Sequence, residues 1–314
     1  LTAARLFDLA TRATPPASDS RFDALVGGGI AYARSGNPER SVALFRDAEE
    51  IARRLDDDDR IVDVLRHRLQ LLAAHLRDRE RAAEPAEVLS EALHSTKVSP
   101  GAEATARSTL ATSYFERGRN EDALHQANLA VRAAGQSDDD EAVGHARFAL
   151  GLAELGELQP QRSLDDFRGS FEAFARANHP WYRTWPTGRI PLTLWMLGRL
   201  DDADHESTQA SLNALSAHNW GGHEFAMAAR AGVRAARGEF DEAENDVYDA
   251  LLAHRVSRYA WPPRLALPVL AYIRSCRGDD AGADEVVNRY RSLVGQSASW
   301  DLEVLVLLLR GEQA

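Results

Sequence analysis

The chain has 314 residues, of which 44% are hydrophobic and 27% charged, and its formal net charge is −11. This composition is typical of soluble protein, and the acidic balance argues against direct nucleic-acid binding and against binding to an anionic membrane surface. A single cysteine, Cys276, excludes an internal disulfide, and we expect it to be a small buried hydrophobe. No run approaches the ~18 apolar residues of a membrane span, and no signal-peptide pattern is present, which favours a cytoplasmic location. Because residue 1 is leucine, we expect the chain to be a piece of a longer protein.

The chain is predicted to be all-α, built from antiparallel helix pairs that each contain a first helix, A, and a second helix, B. Alanine, leucine, arginine and acidic residues dominate, and no alternating pattern indicates a strand. The glycines that close the A helices share a register of about 40 residues, which is typical of stacked helical repeats. They are Gly36, Gly118, Gly198, Gly238 and Gly278.

We predict a single array over residues 1–314, folded as a right-handed superhelical solenoid. It begins with half a repeat at 1–14, a B helix without its A partner, and ends with half a repeat at 299–311. The helix pairs between them are predicted at 21–55, 58–96, 100–135, 138–178, 180–218, 220–256 and 261–295. Because each unit of such a stack packs only on its neighbours, we expect the function to lie on an extended surface.

Three features of the N-terminal half have a structural and a functional interpretation. Gly27-Gly28-Gly29 lies in a helical pattern with no strand before it and no lysine after it, so close helix packing is favoured over a phosphate loop. The acidic runs at 56–59 and 138–141 are expected to cap the helices that follow them, because they lack the spacing of a calcium loop. Pro85 is expected in the first turn of a B helix or at a break in that helix.

The third unit shows the repeat pattern best, and the fourth departs from it. In the third unit, Gly118 ends helix A, and Glu121 and Asp122 begin helix B, where carboxylates complement the helix dipole. In the fourth unit the glycine, Gly156, comes two residues early. Pro160 is expected to begin the B helix of that unit, since the first turn tolerates proline.

The last predicted helix, at 299–310, is too apolar to be a free capping helix. We expect it to pack on the seventh unit. Two interpretations stay open. Either the seventh unit alone covers the helix, or a following repeat or a second copy of the chain also contacts it. Homo-oligomerisation through the terminal helices is therefore one expectation for this chain.

The third unit contains the pattern Leu110-Ala111-x-x-Tyr114-x-x-x-Gly118-x-x-Glu121-Asp122-Ala123. This pattern resembles the tetratricopeptide repeat (TPR). The unit is longer than the roughly 34 residues usual in that family. Longer pairs of this kind resemble the helical region of the large ATP-binding LuxR-type regulators and related ATPase-linked cyclases of bacteria. Residues 44–55, with the acidic loop after them, and residues 175–182 carry this second resemblance, which covers about 1–294.

In that family an ATPase switch precedes the repeats, and no Gly-x-x-x-x-Gly-Lys-Ser/Thr loop occurs here. The resemblance therefore implies a non-catalytic regulatory domain of a larger signal-responsive transcriptional regulator of the STAND ATPase type. Such a domain is expected to bind a protein, a peptide or a small inducer in its superhelical groove. Two alternatives stay open: a stand-alone adaptor or peptide-pheromone receptor of TPR type, and an enzyme on a closed α/α toroid.

Tryptophans form a second periodic series at the beginnings of predicted A helices, and equivalent positions of stacked repeats are expected to lie side by side. The resulting candidate binding residues are Trp181, Tyr182, Trp185, Trp220, Tyr259, Trp261, Trp300, His179 and His218. These aromatic residues either anchor consecutive units or line a groove that binds a ligand. No catalytic residue, metal ligand or cofactor is predicted, because the histidines lack metal-site spacing and no nucleophile elbow occurs.

Overall fold

The computed structural model describes residues 2–16, 18–72, 79–257 and 265–294, and no strand occurs within these ranges. Their helices are α1 (Thr2–Ala13), α2 (Asp19–Arg34), α3 (Pro38–Leu55), α4 (Asp58–Gln70), α5 (Arg79–Ser95), α6 (Pro100–Glu116), α7 (Asn120–Ala134), α8 (Asp140–Gly156), α9 (Pro160–Arg176), α10 (Pro180–Met196), α11 (Leu200–Ser216), α12 (Trp220–Ala236), α13 (Phe240–Ser257), α14 (Ala266–Cys276) and α15 (Asp280–Val294). The all-α solenoid predicted from the sequence is confirmed. None of the helices in these ranges is both long and apolar enough to cross a membrane.

The helix starts show the repeat directly. From α6 to α12, the A helices begin at residues 100, 140, 180 and 220, and from α7 to α15 the B helices begin at 120, 160, 200, 240 and 280. Consecutive A helices, such as α10 and α12, pack on each other as well as on their B partners. The division of 1–314 into seven pairs and two half repeats stays a prediction. Residues 258–264 and 295–314, which include the apolar helix predicted at 299–310, lie outside the described ranges.

Each A-to-B turn that follows the register contains one residue with positive φ. Glycine occupies this position with φ between 71° and 80° at Gly36, Gly118, Gly198, Gly238 and Gly278. At the end of α6, the Arg119 amide donates to the Tyr114 carbonyl oxygen at 2.9 Å, which is the closing bond of a Schellman motif. The period therefore reflects a recurring positive-φ backbone position, which glycine adopts without steric cost.

The turn of the fourth unit corrects one prediction. Its positive-φ residue is Leu158, with φ 56°, so the early glycine, Gly156, does not close the turn. Gly156 instead ends α8 close to α7, where Asn120 Nδ2 donates to its carbonyl oxygen at 3.2 Å. A Cβ at Gly156 would lie 2.9 Å from the Asn120 side-chain oxygen, which explains the glycine.

Small residues at facing positions bring the two helices of a pair together. Ser41 Oγ of α3 donates to the Gly29 carbonyl oxygen of α2 at 2.8 Å, and Ser163 repeats this bond to Gly151 at the same distance. The Phe45 ring lies one turn further along α3 and packs directly on Gly29. A Cβ on Gly29 would come within 2.5 Å of this ring. Buried alanines occupy the equivalent positions in other units: Ala111 with Ala123, Ala231 with Ala243, and Ala271 with Ala283. We call these contacts the seams.

The structural interpretations of the N-terminal motifs are confirmed. Gly27 lies inside α2 against the Phe7 ring, which a Cβ would approach within 2.5 Å. Asp57 caps α4, its side chain accepting the Arg60 amide at 3.1 Å, and Asp139 caps α8 in the same way. The glycines therefore permit close packing, and the acidic runs cap helices.

Two local predictions are wrong. Pro85 lies inside α5 and neither begins nor breaks that helix. A proline removes one backbone donor, and the buried face formed by Ala82, Ala86 and Leu89 holds the helix together around it. Cys276, expected to be buried, is exposed at the end of α14.

Curvature of the solenoid brings its first and fifth units together. The guanidinium carbon of Arg34, at the end of α2, lies 4.3 Å from the ring centroid of Trp181, near the beginning of α10. The A helices of the intervening units therefore surround a space on the concave face of the solenoid.

Candidate functional site

That space is a cavity of about 240 Å³, walled by α2, α4, α6, α8, α10 and α12. Its surface is mainly apolar. The aromatic, charged and amide side chains that line it include Arg34, Arg66, His67, Glu116, His145, Trp181, Tyr182, Trp185, Arg189, Asn219, Glu224 and Phe225. A concave apolar surface with a few polar groups is the usual form of a ligand pocket. No three potential metal-ligating side chains converge in the described part of the chain.

An aromatic cluster around Tyr182 forms one wall of the cavity. The ring centroid of Tyr182 lies 4.9 Å from that of Trp185 and 4.5 Å from that of His145, both in edge-to-face geometry. His179 stacks on Tyr182 at 4.1 Å and, as the N-cap residue of α10, accepts the Tyr182 amide at 3.4 Å. Tyr182 is thus held from several sides before any ligand arrives.

Two buried histidines lie beneath this wall. The His67 ring stacks on Phe45 with centroids 5.5 Å apart. Burial, reinforced by the neighbouring Arg66 guanidinium, lowers the pKa of His67 to about 3. Burial likewise lowers the pKa of His145. Arg66 itself is paired with Asp63 at 2.7 Å, so this part of the cavity has neutral imidazoles and a compensated guanidinium at neutral pH.

The opposite end of the cavity lies between α10 and α12. Arg189 is 9% exposed, and its guanidinium carbon lies 4.2 Å from the Phe225 ring centroid. Asn219, the N-cap residue of α12, donates from Nδ2 to Thr184 Oγ1 at 2.6 Å and accepts the Gly222 amide at 3.0 Å. Asn219 therefore holds the two helices together, whereas the Arg189 side chain faces the cavity.

The nine predicted binding residues fall into three groups. Those that line the cavity are Trp181, Tyr182 and Trp185. Those outside its lining, at the beginnings of α10 and α12, are His179, His218 and Trp220. Those outside the described residues are Tyr259, Trp261 and Trp300. A role in binding stays a prediction for all nine, and no ring contact joins Trp181 to Trp220.

Two cavity residues, His145 and Phe225, were missed from the sequence although they share its period. They lie 40 residues before and 40 residues after the predicted Trp185, at equivalent positions inside α8, α10 and α12, and all three line the cavity. The 40-residue spacing of the turn glycines, applied to positions inside the A helices, identifies His145 and Phe225 from Trp185. Arg34 and Arg189 follow no period. Arg189 lies one turn after Trp185 on α10, and curvature brings Arg34 to the cavity against Trp181.

Comparisons with known proteins show the fold. No family model matches the chain, and no curated protein matches it. A Rap protein complexed with competence and sporulation factor is 14% identical, over 93% of this chain and 81% of that chain, with a TM-score of 0.68. NprR in complex with its cognate peptide NprX is 11% identical, over 93% and 82%, with a TM-score of 0.63. A STAND protein with a TPR sensor from Pyrococcus horikoshii is 14% identical, over 98% and 46%, with a TM-score of 0.58.

Proposed function

We propose that the chain is a non-catalytic repeat domain that binds a peptide in its concave cavity and serves as the sensor arm of a larger bacterial transcriptional regulator. The observation that carries the proposal is the cavity itself, which six A helices wall and which Trp181, Tyr182 and Trp185 line. The fold shared with NprR, solved with its cognate peptide, and with the TPR sensor of a STAND protein supports it.

The dimensions of the cavity favour a short peptide. Its volume of about 240 Å³ lies just below the roughly 300–1,000 Å³ typical of ligand pockets, so it would receive a few side chains. The remainder of an extended peptide would follow the concave groove. Aromatic side chains such as Trp185 supply large contact areas with little loss of conformational entropy, as at many binding hot spots.

Binding can be measured with positional pools of capped hexapeptides, each with one fixed residue. Cys276 is the single cysteine, is exposed and does not line the cavity, so it can carry a fluorophore. We expect at least one pool to bind, and we expect Trp185→Ala to weaken that binding more than tenfold. Tyr248→Ala, at an exposed aromatic residue of α13 outside the cavity, is the matched control. Absence of binding to every pool, or equal effects of the two variants, would contradict the proposal.

The contact between the first and fifth units suggests how binding changes the superhelix. Arg34 and Trp181 meet across the cavity, and a cation–π contact at a partly exposed site contributes about 0.5–1 kcal/mol. A ligand seated between these units can therefore displace the contact and change the superhelical pitch, which would alter contacts with a neighbouring switch module. Small-angle scattering profiles recorded with and without a binding pool should differ. Identical profiles would contradict the proposed change in superhelical pitch.

The alternative is a stand-alone adaptor or a peptide-pheromone receptor of TPR type. The fold shared with a Rap protein complexed with competence and sporulation factor supports this alternative equally. The reading frame around this segment separates the two possibilities. An ATPase and a helix-turn-helix encoded in the same frame would support the sensor arm, and their absence would support the receptor.

A further inference from the structure

The cavity reverses the charge balance of the chain. The full sequence has 48 acidic residues and 37 arginines and lysines. The charged residues of the cavity lining are instead three arginines and two glutamates: Arg34, Arg66, Arg189, Glu116 and Glu224. The cavity lining therefore lacks the acidic excess of the rest of the chain, and an anionic ligand group is not repelled from it as it would be from the outer surface.

Several of these charges are already compensated or engaged within the protein. Arg66 is paired with Asp63 at 2.7 Å. Glu224 Oε2 lies 3.1 Å from His254 Nδ1, so this carboxylate has a partner in α13. Arg34 is engaged by the Trp181 ring that closes the cavity.

Arg189 is different. It is 9% exposed, yet no hydrogen bond or ion pair to its guanidinium occurs among the described residues. The guanidinium lies over the Phe225 ring, with its carbon 4.2 Å from the ring centroid. This contact uses no oxygen acceptor, so the N–H donors of the guanidinium stay available, and their fork matches the two oxygens of a carboxylate. Burial of such a group without an acceptor is unfavourable, and a bound acceptor would relieve it.

We propose that Arg189 forms a subsite for a carboxylate of the bound peptide, either an acidic side chain or the free C-terminus. This inference rests on the proposed peptide binding and adds the chemical class of the ligand. The Phe225 ring fixes the guanidinium from one side, so the carboxylate would approach in its plane from the cavity.

The hexapeptide pools test the proposal when Asp or Glu pools are compared with Asn or Gln pools at each position. A second set, with free and amidated C-termini, distinguishes the two sources of the carboxylate. We expect the intact chain to prefer the acidic member by roughly 10- to 100-fold at one position or at the C-terminus, as a charge-assisted hydrogen bond predicts. Arg189→Met should remove this preference while neutral pools bind as before.

Matched variants separate the possible outcomes. Arg168→Met, on the exposed face of α9, and Arg34→Met, in the same cavity, should both keep the acidic preference. Arg189→Gln serves as a second variant if circular dichroism shows that Arg189→Met is unfolded. Binding without an acidic preference, or a preference that survives loss of Arg189, overturns this inference and leaves peptide binding intact. Absence of binding to all pools overturns both.

Discussion

The seams between paired helices and the cavity on the concave face differ in how regularly their contacts recur along the chain. At the seams the same contact recurs, as when Ser41 and Ser163 donate to Gly29 and Gly151 at 2.8 Å. Buried small residues face each other there, and phenylalanine rings such as Phe167 pack beside the seam glycines. In the cavity, aromatic, arginine and histidine side chains share a wall, and contacts such as that of Arg34 with Trp181 occur once within the described residues.

The difference shows how one repeat template serves two purposes. Residues that recur every 40 positions allow the helices of a pair to approach and stack. Residues that depart from the period can vary without disturbing the stack, and these give the cavity its charge and shape. Substitutions at the seams should therefore change stability, whereas substitutions in the cavity should change ligand binding.

The largest effect is expected at a seam. Phe167 is fully buried in α9, and its ring lies where a Cβ on Gly151 would come within 2.8 Å of it. Phe167→Ala should lower the free energy of unfolding by about 3–5 kcal/mol, because it leaves a cavity that the helices cannot fill. Urea denaturation followed by circular dichroism measures this loss. Trp185→Ala is the comparison from the cavity, and an equal loss there would erase the distinction.

A smaller loss of stability is expected at low pH, from His67 beneath the aromatic wall of the cavity. The folded-state pKa of His67 is about 3, below the ~6.5 of an unfolded histidine. Between these values the unfolded chain binds a proton that the folded chain does not, so stability present above the unfolded pKa is lost as the pH falls. The loss attributable to His67 is about 2 kcal/mol at a pH of about 5.

His67→Phe keeps a ring against Phe45 and removes the titrating group. Urea denaturation at several pH values should therefore show a flatter dependence for this variant than for the unchanged chain. His218→Asn is the control, since His218 is exposed at a positive-φ position that asparagine tolerates. A slope for His67→Phe as steep as that of the unchanged chain would contradict the assignment.

The irregular turn of the fourth unit allows a stabilising change. Leu158 has φ 56° and is 58% exposed, so it carries the strain of a left-handed conformation without burial in compensation. Leu158→Gly should raise the free energy of unfolding by about 1 kcal/mol. Gly118→Ala, at the equivalent turn with open space around it, should lower it by a similar amount. Thermal denaturation measures both, and the same sign for the two changes would refute the comparison.

The smallest effect concerns the contact that closes the cavity. Arg34→Gln should lower stability by about 0.5–1 kcal/mol, because the cation–π contact with Trp181 is partly exposed. A double-mutant cycle with Trp181→Leu isolates the interaction of the two side chains. A coupling energy of zero would show that the first and fifth units do not depend on each other through this pair.

Local rules explain where prediction from the sequence was successful. Gly118 and its equivalents end helices because the turn needs positive φ, and Asp57 and Asp139 cap helices because they precede free backbone amides. Gly156 was misinterpreted because the sequence shows a glycine but does not show whether the backbone conformation or a neighbouring helix requires it.

The sequence by itself determined the helices, their turns and the period of the stack, since each depends on residues within about one repeat of one another. Only the tertiary structure decided which side chains meet in the cavity. Arg34 and Trp181 are brought together by curvature that accumulates from unit to unit across the first five repeats. No local pattern encodes that sum, so the unpaired guanidinium of Arg189 and its position beside Phe225 became visible only in the folded chain.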